Sequence, residues 1–179
     1  MGKPRVLQRT TIYQGQVIRL IREVLTTRGQ TMVRETIQHP GAVVIVPLLD
    51  RSRIVFVRQY RRAIRRELLE LPAGTLGRGE RAIACARREL QEETGWQARH
   101  LRRIGQFYAA PGFISEQLTV FLARQLRKVQ AHPDPDECIQ PVVLSLKTAL
   151  GHIQSGRICD AKTIIGLLFV AQLLKQESL

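Results

Sequence analysis

The chain has 179 residues, 44% of them hydrophobic and 24% charged, with a formal net charge of +13. This length suits one globular domain with a small appendage, and the apolar content excludes a disordered chain. The longest apolar stretches, Gly41–Leu49 and Ile164–Val170, are too short to span a bilayer, and the Met-Gly-Lys-Pro-Arg start lacks the apolar core of a signal peptide.

Residues 5–38 alternate apolar and polar positions with β-branched enrichment, which predicts two or three antiparallel strands closed by the turn His39-Pro40-Gly41. Ala42–Leu48 is a continuous apolar run and predicts a buried strand, with Ile54–Tyr60 as its hairpin partner across Leu49–Ser52. Leu68–Leu71 leads into the breaker-rich segment Pro72–Gly79, after which Glu80 to about Thr94 reads as a helix stopped by Gly95. Further strands are expected near Ala98–Phe107, Gln117–Arg124 and Cys138–Leu144, and two closing helices at Leu146–Ser155 and Ala161–Lys175. The last helix carries a stripe of Ile164, Leu167, Leu168, Ala171 and Leu174. This order is mixed α/β with many hairpins, which disfavours a doubly wound parallel fold.

Charge is unevenly placed. Residues 1–66 carry 13 Arg, one Lys and three acids, whereas six of the fifteen acids lie between Glu67 and Glu93. A basic front beside an acidic cluster suits a protein that holds an anion next to bound cations; nucleic acid is the other standard reading. Aromatics are sparse in the basic half (Tyr13, Phe56 and Tyr60), which disfavours a base-stacking surface. Cys85, Cys138 and Cys159 are far apart and lack metal-ligand spacing, so no disulfide framework or zinc site is expected and a cytoplasmic setting is the default. The four histidines pair with no nucleophile, and no Gly-x-Ser-x-Gly elbow is present.

On a helical wheel, Glu89 and Glu93 continue the line of Ala82 and Ala86, while Arg81, Arg87, Arg88 and Gln91 fall on the far side. Glu92 sits beside the pair, and Arg88 is spaced to meet it at i,i+4. Carboxylates about 5–6 Å apart repel by roughly 3 kcal/mol at an effective dielectric near 20. Such a group must protonate, find arginines or bind a cation, and all-oxygen ligation favours magnesium or manganese over zinc.

The spacing around this helix is specific. Gly74, five residues, Glu80, seven residues, then Arg88-Glu89-Leu90-Gln91-Glu92-Glu93-Thr94-Gly95-Trp96 matches every fixed position of the signature of the Nudix hydrolases, which the chain thereby resembles. Seven fixed residues at about 7% each would coincide by chance roughly once in 10^8 starting points. Gln59-Tyr60-Arg61, Glu70-Leu71-Pro72-Ala73-Gly74, Ala110-Pro111-Gly112-Phe113 and Gly156–Thr163 are similar to the ADP-ribose pyrophosphatase branch of that family. Pro111 stands sixteen residues past Gly95, near a marker position of that branch.

The resemblance implies a Nudix α/β/α sandwich with a mixed sheet over residues 39–179, carrying an N-terminal antiparallel β arm over residues 1–38. It implies two or more Mg2+ ions (Mn2+ as substitute) held by Glu89, Glu93 and the carbonyl of Ala73, with Glu92 as auxiliary ligand, Glu80 acting through water and Arg88 orienting the carboxylates. Arg61, Glu70 and Pro111 fall to the substrate, Arg61 as the diphosphate-binding arginine. Glu137, in the acidic loop Ala131–Glu137, resembles the loop glutamate that serves as base or metal ligand; relatives often have another acid where this chain has Pro135, which leaves Asp134 and Asp136 as rivals. The implied reaction is hydrolysis of a nucleoside diphosphate sugar, foremost ADP-ribose to AMP and ribose 5-phosphate, by a homodimer with an exchanged arm and no role for membrane or nucleic acid. A GDP-mannose-type substrate and a non-catalytic nucleotide- or RNA-binding module are the alternatives.

Overall fold

The computed structural model describes residues 3–130 and 139–177, and the chain divides into two compact units. The first holds the residues up to Gly41 together with Tyr108–Gln117. Its sheet is the meander β1 (Arg5–Gln14), β2 (Arg19–Thr27) and β3 (Gln30–Gln38), antiparallel throughout, so the alternation in residues 5–38 does encode three strands. Arg28 and Gly29, at φ 49° and 75°, are the two left-handed residues of the β2–β3 turn, a conformation that glycine adopts without strain. Every residue of β1 is exposed, including Val6, Leu7, Ile12 and Tyr13. The 108–117 segment joins this unit through a parallel bridge between Ile37 and Ile114 and a 3.0 Å bond from the His39 N–H to Ser115 Oγ.

The second unit is built around β4 (Ala42–Pro47), which lies parallel to β9 (Gln117–Lys128) and antiparallel to β7 (Ala73–Thr75), with β8 (Trp96–Tyr108) beyond β9. Strand side chains alternate between faces, and both faces of β4 are covered. Val43 and Ile45 pack with Cys85, Ala86 and Leu90 of helix α1 (Ala82–Thr94). Val44 and Val46 pack with Leu167 and Val170 of helix α3 (Ala161–Gln176). The continuous apolar run is thus the pattern of a strand between two layers, each buried Val or Ile contributing about 1.5–3 kcal/mol. A second sheet, β10 (Ile139–Ser145), β5 (Arg53–Arg61) and β6 (Arg66–Glu70), adds Ile54 and Phe56 to the α3-side core. Helix α2 (Leu146–Gln154) is capped by the Ser145 hydroxyl, which accepts from the Thr148 N–H.

Three local expectations are corrected. β4 and β5 do not form a ladder: a single antiparallel bridge, Leu48 to Ile54, joins them before they enter different sheets. Val43–Val46 and Ile54–Val57 are each apolar and buried throughout, and such a run does not specify its neighbour. On α3 the buried line is Thr163, Gly166, Leu167 and Val170, whereas Leu168 is exposed. Gly166 lets the helix approach so closely that a Cβ there would lie 2.6 Å from Leu71 Cδ1. The short strand β7 lies inside the segment read as breakers.

Candidate active site

Helix α1 ends where the sequence places its stop: Gly95 adopts φ 67° and its N–H bonds the Gln91 carbonyl. Its inner face is Cys85, Ala86, Leu90, Glu93 and Thr94, so a carboxylate does lie on the buried side of the helix. The backbone N–H of Ala73 donates to Glu93 Oε2 at 3.1 Å, tying the end of α1 to the first residue of β7. One residue on, Gly74 faces Glu89 so closely that a Cβ would stand 1.9 Å from its carboxyl carbon. Only glycine leaves room for that side chain.

Arg88 organises the outer carboxylates. Its Nε and Nη2 each lie 3.1 Å from a Glu80 oxygen, its Nη1 is 2.7 Å from Glu89 Oε1, and the same nitrogen is 2.9 Å from Glu92 Oε2. The wheel set Arg88 behind the helix, but its long side chain carries the guanidinium round to all three acids. The Arg88 bonds, joined by the Gly77 N–H, hold Glu80 down to a pKa of about 2, and the same bond raises Arg88 itself. Cys85 lies beneath, where burial first and the charge of Glu89 next push its thiol up to about 12. It is an inert packing residue there. Behind α1, a groove of about 720 Å3 is lined by Ala84, Arg87, Gln91, Arg99 and Arg127, and shares only Arg88 with the carboxylate cluster.

Glutamates drawn to Arg88 and to the Ala73 N–H do not form a ready cage: among the described residues, no three His, Cys, Asp or Glu side chains are gathered as metal ligands. The donor set nevertheless fits a hard divalent cation. It comprises Glu80, Glu89, Glu92 and Glu93 around a glycine-bearing strand, all oxygen donors, with the protonated Cys85 thiol packed beneath them rather than among them.

A second charged cluster lies at the end of β5 and β6. Glu70 is fully buried, and its two oxygens accept from Arg61 Nε at 2.8 Å and Arg61 Nη2 at 2.5 Å. Lys162 Nζ, from the first turn of α3, bonds the same Oε2 and sits 3.0 Å from Asp160. Burial pushes the Glu70 carboxyl up, but the Arg61 bonds and Lys162 outweigh it, and its pKa ends below the ordinary value. The Glu70 hydrogen bonds raise Arg61 in turn.

Of the sequence-derived site residues, Glu89, Glu92, Glu93, Arg88 and Ala73 come together at α1 and β7, and Arg61 with Glu70 forms the second cluster. Pro111 is exposed in the 108–117 segment, which belongs to the other unit. Glu137, Asp134 and Asp136 lie outside the described residues. Sequence reasoning gave no role to Lys162, Asp160 or Thr163, although Asp160 three residues before Thr163 is a helix-capping signal.

Comparison with known proteins defines the class, a hydrolase acting on a diphosphate anhydride. The family model of the NUDIX domain matches residues 38–164. The ADP-ribose pyrophosphatase of Bacillus subtilis is 36% identical over 169 residues, 93% of this chain and 91% of the relative. A methanol dehydrogenase activator of Bacillus methanolicus is 35% identical over 176 residues, 95% of each. A GDP-mannose pyrophosphatase of Citrobacter koseri is 32% identical over 165 residues, 87% of this chain and 80% of the relative. A solved structure described as an ADP compounds hydrolase superposes with a TM-score of 0.88 at 23% identity, covering 99% of this chain and 97% of its own. The chain belongs to the Nudix family.

Proposed function

We propose that this protein is a Mg2+-dependent pyrophosphohydrolase of nucleoside diphosphate sugars, with ADP-ribose, cleaved to AMP and ribose 5-phosphate, as its preferred substrate. The observation that carries the reading is the juxtaposition of the Glu93 and Glu89 carboxylates with Ala73 and Gly74, in a chain similar to ADP-ribose pyrophosphatases. In this reading Glu89, Glu92, Glu93 and the Ala73 carbonyl hold the magnesium, with manganese as substitute. When bound, two or more such ions supply charge neutralisation for the diphosphate and acidify water.

The chain's own residues do the rest. Arg61, held by Glu70, is 38% exposed at its side chain and presents its guanidinium to the diphosphate, for which a planar fork is suited. Arg88 pairs with Glu80, Glu89 and Glu92 and orients their carboxylates. Glu137 takes the proton of the attacking water.

GDP-mannose stays as the second substrate because of the similarity to GDP-mannose pyrophosphatases. We further propose a cytoplasmic homodimer in which the fully exposed β1, with its apolar side chains, is covered by a second copy. Dimeric mass by light scattering at micromolar concentration supports this; a monomer contradicts it. A panel of sugar nucleotides and nucleoside triphosphates, read by phosphatase-coupled phosphate release, tests the substrate. Preference for triphosphates, or equal rates on all sugar nucleotides, rejects the ADP-ribose assignment.

A further inference from the structure

The charged cluster under Arg61 reaches into a helix 92 residues further along the chain. Glu70 has almost no exposed side chain, and a buried carboxylate needs most of its lone pairs filled. Arg61 fills one oxygen with Nε and shares the other, Oε2, with Lys162 Nζ. Lys162 is itself held by Asp160, 3.0 Å away. The other Asp160 oxygen accepts from the Thr163 N–H at 3.0 Å and the Thr163 hydroxyl at 2.6 Å. Thr163 Oγ1 in turn accepts from the Leu71 N–H at 2.8 Å, two residues before the Ala73 N–H that bonds Glu93. The N-terminal end of α3 therefore touches both the arginine cluster and Leu71, two residues before the strand beside the glutamate helix.

The charges matter as much as the links. Arg61 and Lys162 balance Glu70 and Asp160, so the cluster is neutral with all four present. Without Lys162 it carries one net negative charge next to the position proposed for a diphosphate. Glu70 would then have Arg61 as its one ion-pair partner, and its vacated lone pair would draw on the Arg61 donors now free for substrate.

We propose that Lys162 is a positioning residue for the diphosphate site: it anchors Glu70 so that Arg61 keeps its orientation and its charge for the substrate. This rests on the reading of Arg61 as the diphosphate ligand. Lys162→Met should raise KM for ADP-ribose by about 10- to 100-fold with kcat changed less than about threefold, and should weaken ADP binding, read by calorimetry, by a similar factor. Lys162→Arg should recover most of the loss. In an Arg61→Ala background, adding Lys162→Met should change KM and ADP affinity less than about twofold, because Lys162 acts through Arg61. Unchanged KM and ADP affinity in folded Lys162→Met, or full additivity with Arg61→Ala, overturns the proposal. Should Lys162→Met not fold, Lys162→Gln, which keeps a donor and loses the charge, takes its place; failure of both to fold makes Lys162 a stability element and also overturns the proposal. If the wild-type protein binds ADP but hydrolyses no sugar nucleotide, the substrate reading fails while the ADP comparison still decides the role of Lys162.

Discussion

Gly74→Ala gives a sharp structural test of the active site. A Cβ at this position stands 1.9 Å from both the carboxyl carbon and Oε1 of Glu89, and 2.3 Å from its Cγ. Real Cβ atoms essentially never approach within 3.0 Å, so the carboxylate must retreat by at least about 1 Å. The backbone at Gly74 is not in the left-handed region, so alanine is conformationally acceptable there and narrows the unfolded ensemble. Stability should accordingly change by less than about 1 kcal/mol, since the clash falls on a side chain that can swing away. Catalysis should not tolerate that swing: a misplacement of about 1 Å in catalytic geometry can cost on the order of 10²-fold. The assay is kcat for ADP-ribose with Mg2+, alongside thermal melting. Gly77→Ala is the control, because its Cβ would meet Glu80 Oε2 at 3.3 Å, a contact relieved by a few tenths of an ångström. Activity within threefold of wild type in Gly74→Ala would refute the placement of Glu89 in the reacting site.

Other expectations follow from separate features. Glu93→Gln should nearly abolish turnover with the fold intact, and should shrink the rise in melting temperature caused by Mg2+; full activity contradicts the metal site. Glu80 is depressed from 4.5 to about 2, so its pair with Arg88 stabilises the fold above pH 4.5 and loses that contribution as pH falls through 2. The melting-temperature difference between wild type and Glu80→Gln should therefore be full at pH 6 and vanish towards pH 2; a constant difference rejects the pairing. A Cβ at Gly105 of β8 would lie 2.1 Å from the Phe169 ring of α3, so Gly105→Ala should destabilise by about 1–3 kcal/mol in urea unfolding. Glu137→Gln should lower kcat by about 10²–10⁴-fold with little change in KM and partial rescue at high pH. A loss below threefold, with Asp134→Asn or Asp136→Asn larger, moves the base to one of those residues.

What the sequence makes legible is what local periodicity controls. The wheel of α1, the stop at Gly95 and the antiparallel strands of residues 5–38 follow from spacing alone, although spacing left two or three strands open where the meander has three. So does Glu93 on the buried face of its helix. Pairing between distant segments leaves no such trace. Ala42–Pro47 and Arg53–Arg61 look like two arms of a hairpin, yet β4 takes β9 and β7 as neighbours and β5 takes β6 and β10. The Ala73–Thr75 strand hides among Pro and Gly because its pairing is set by the facing residues Ala42 to Val44. Lys162 reaches Glu70 and Thr163 reaches Leu71 across 92 positions, contacts that no local window can contain. The stripe on α3 holds at Leu167, with Ile164 and Leu174 packed against the core, but close approach at Gly166 brings Thr163 and Val170 into the buried line and leaves Leu168 outside.

The most direct measurement is product analysis of ADP-ribose incubated with the wild-type protein and with Glu93→Gln, with and without Mg2+. The account predicts AMP and ribose 5-phosphate in equal amounts from the wild type with Mg2+, and almost none with a chelator or from the variant. Products that do not depend on Mg2+, or turnover of nucleoside triphosphates while ADP-ribose stays intact, would contradict it.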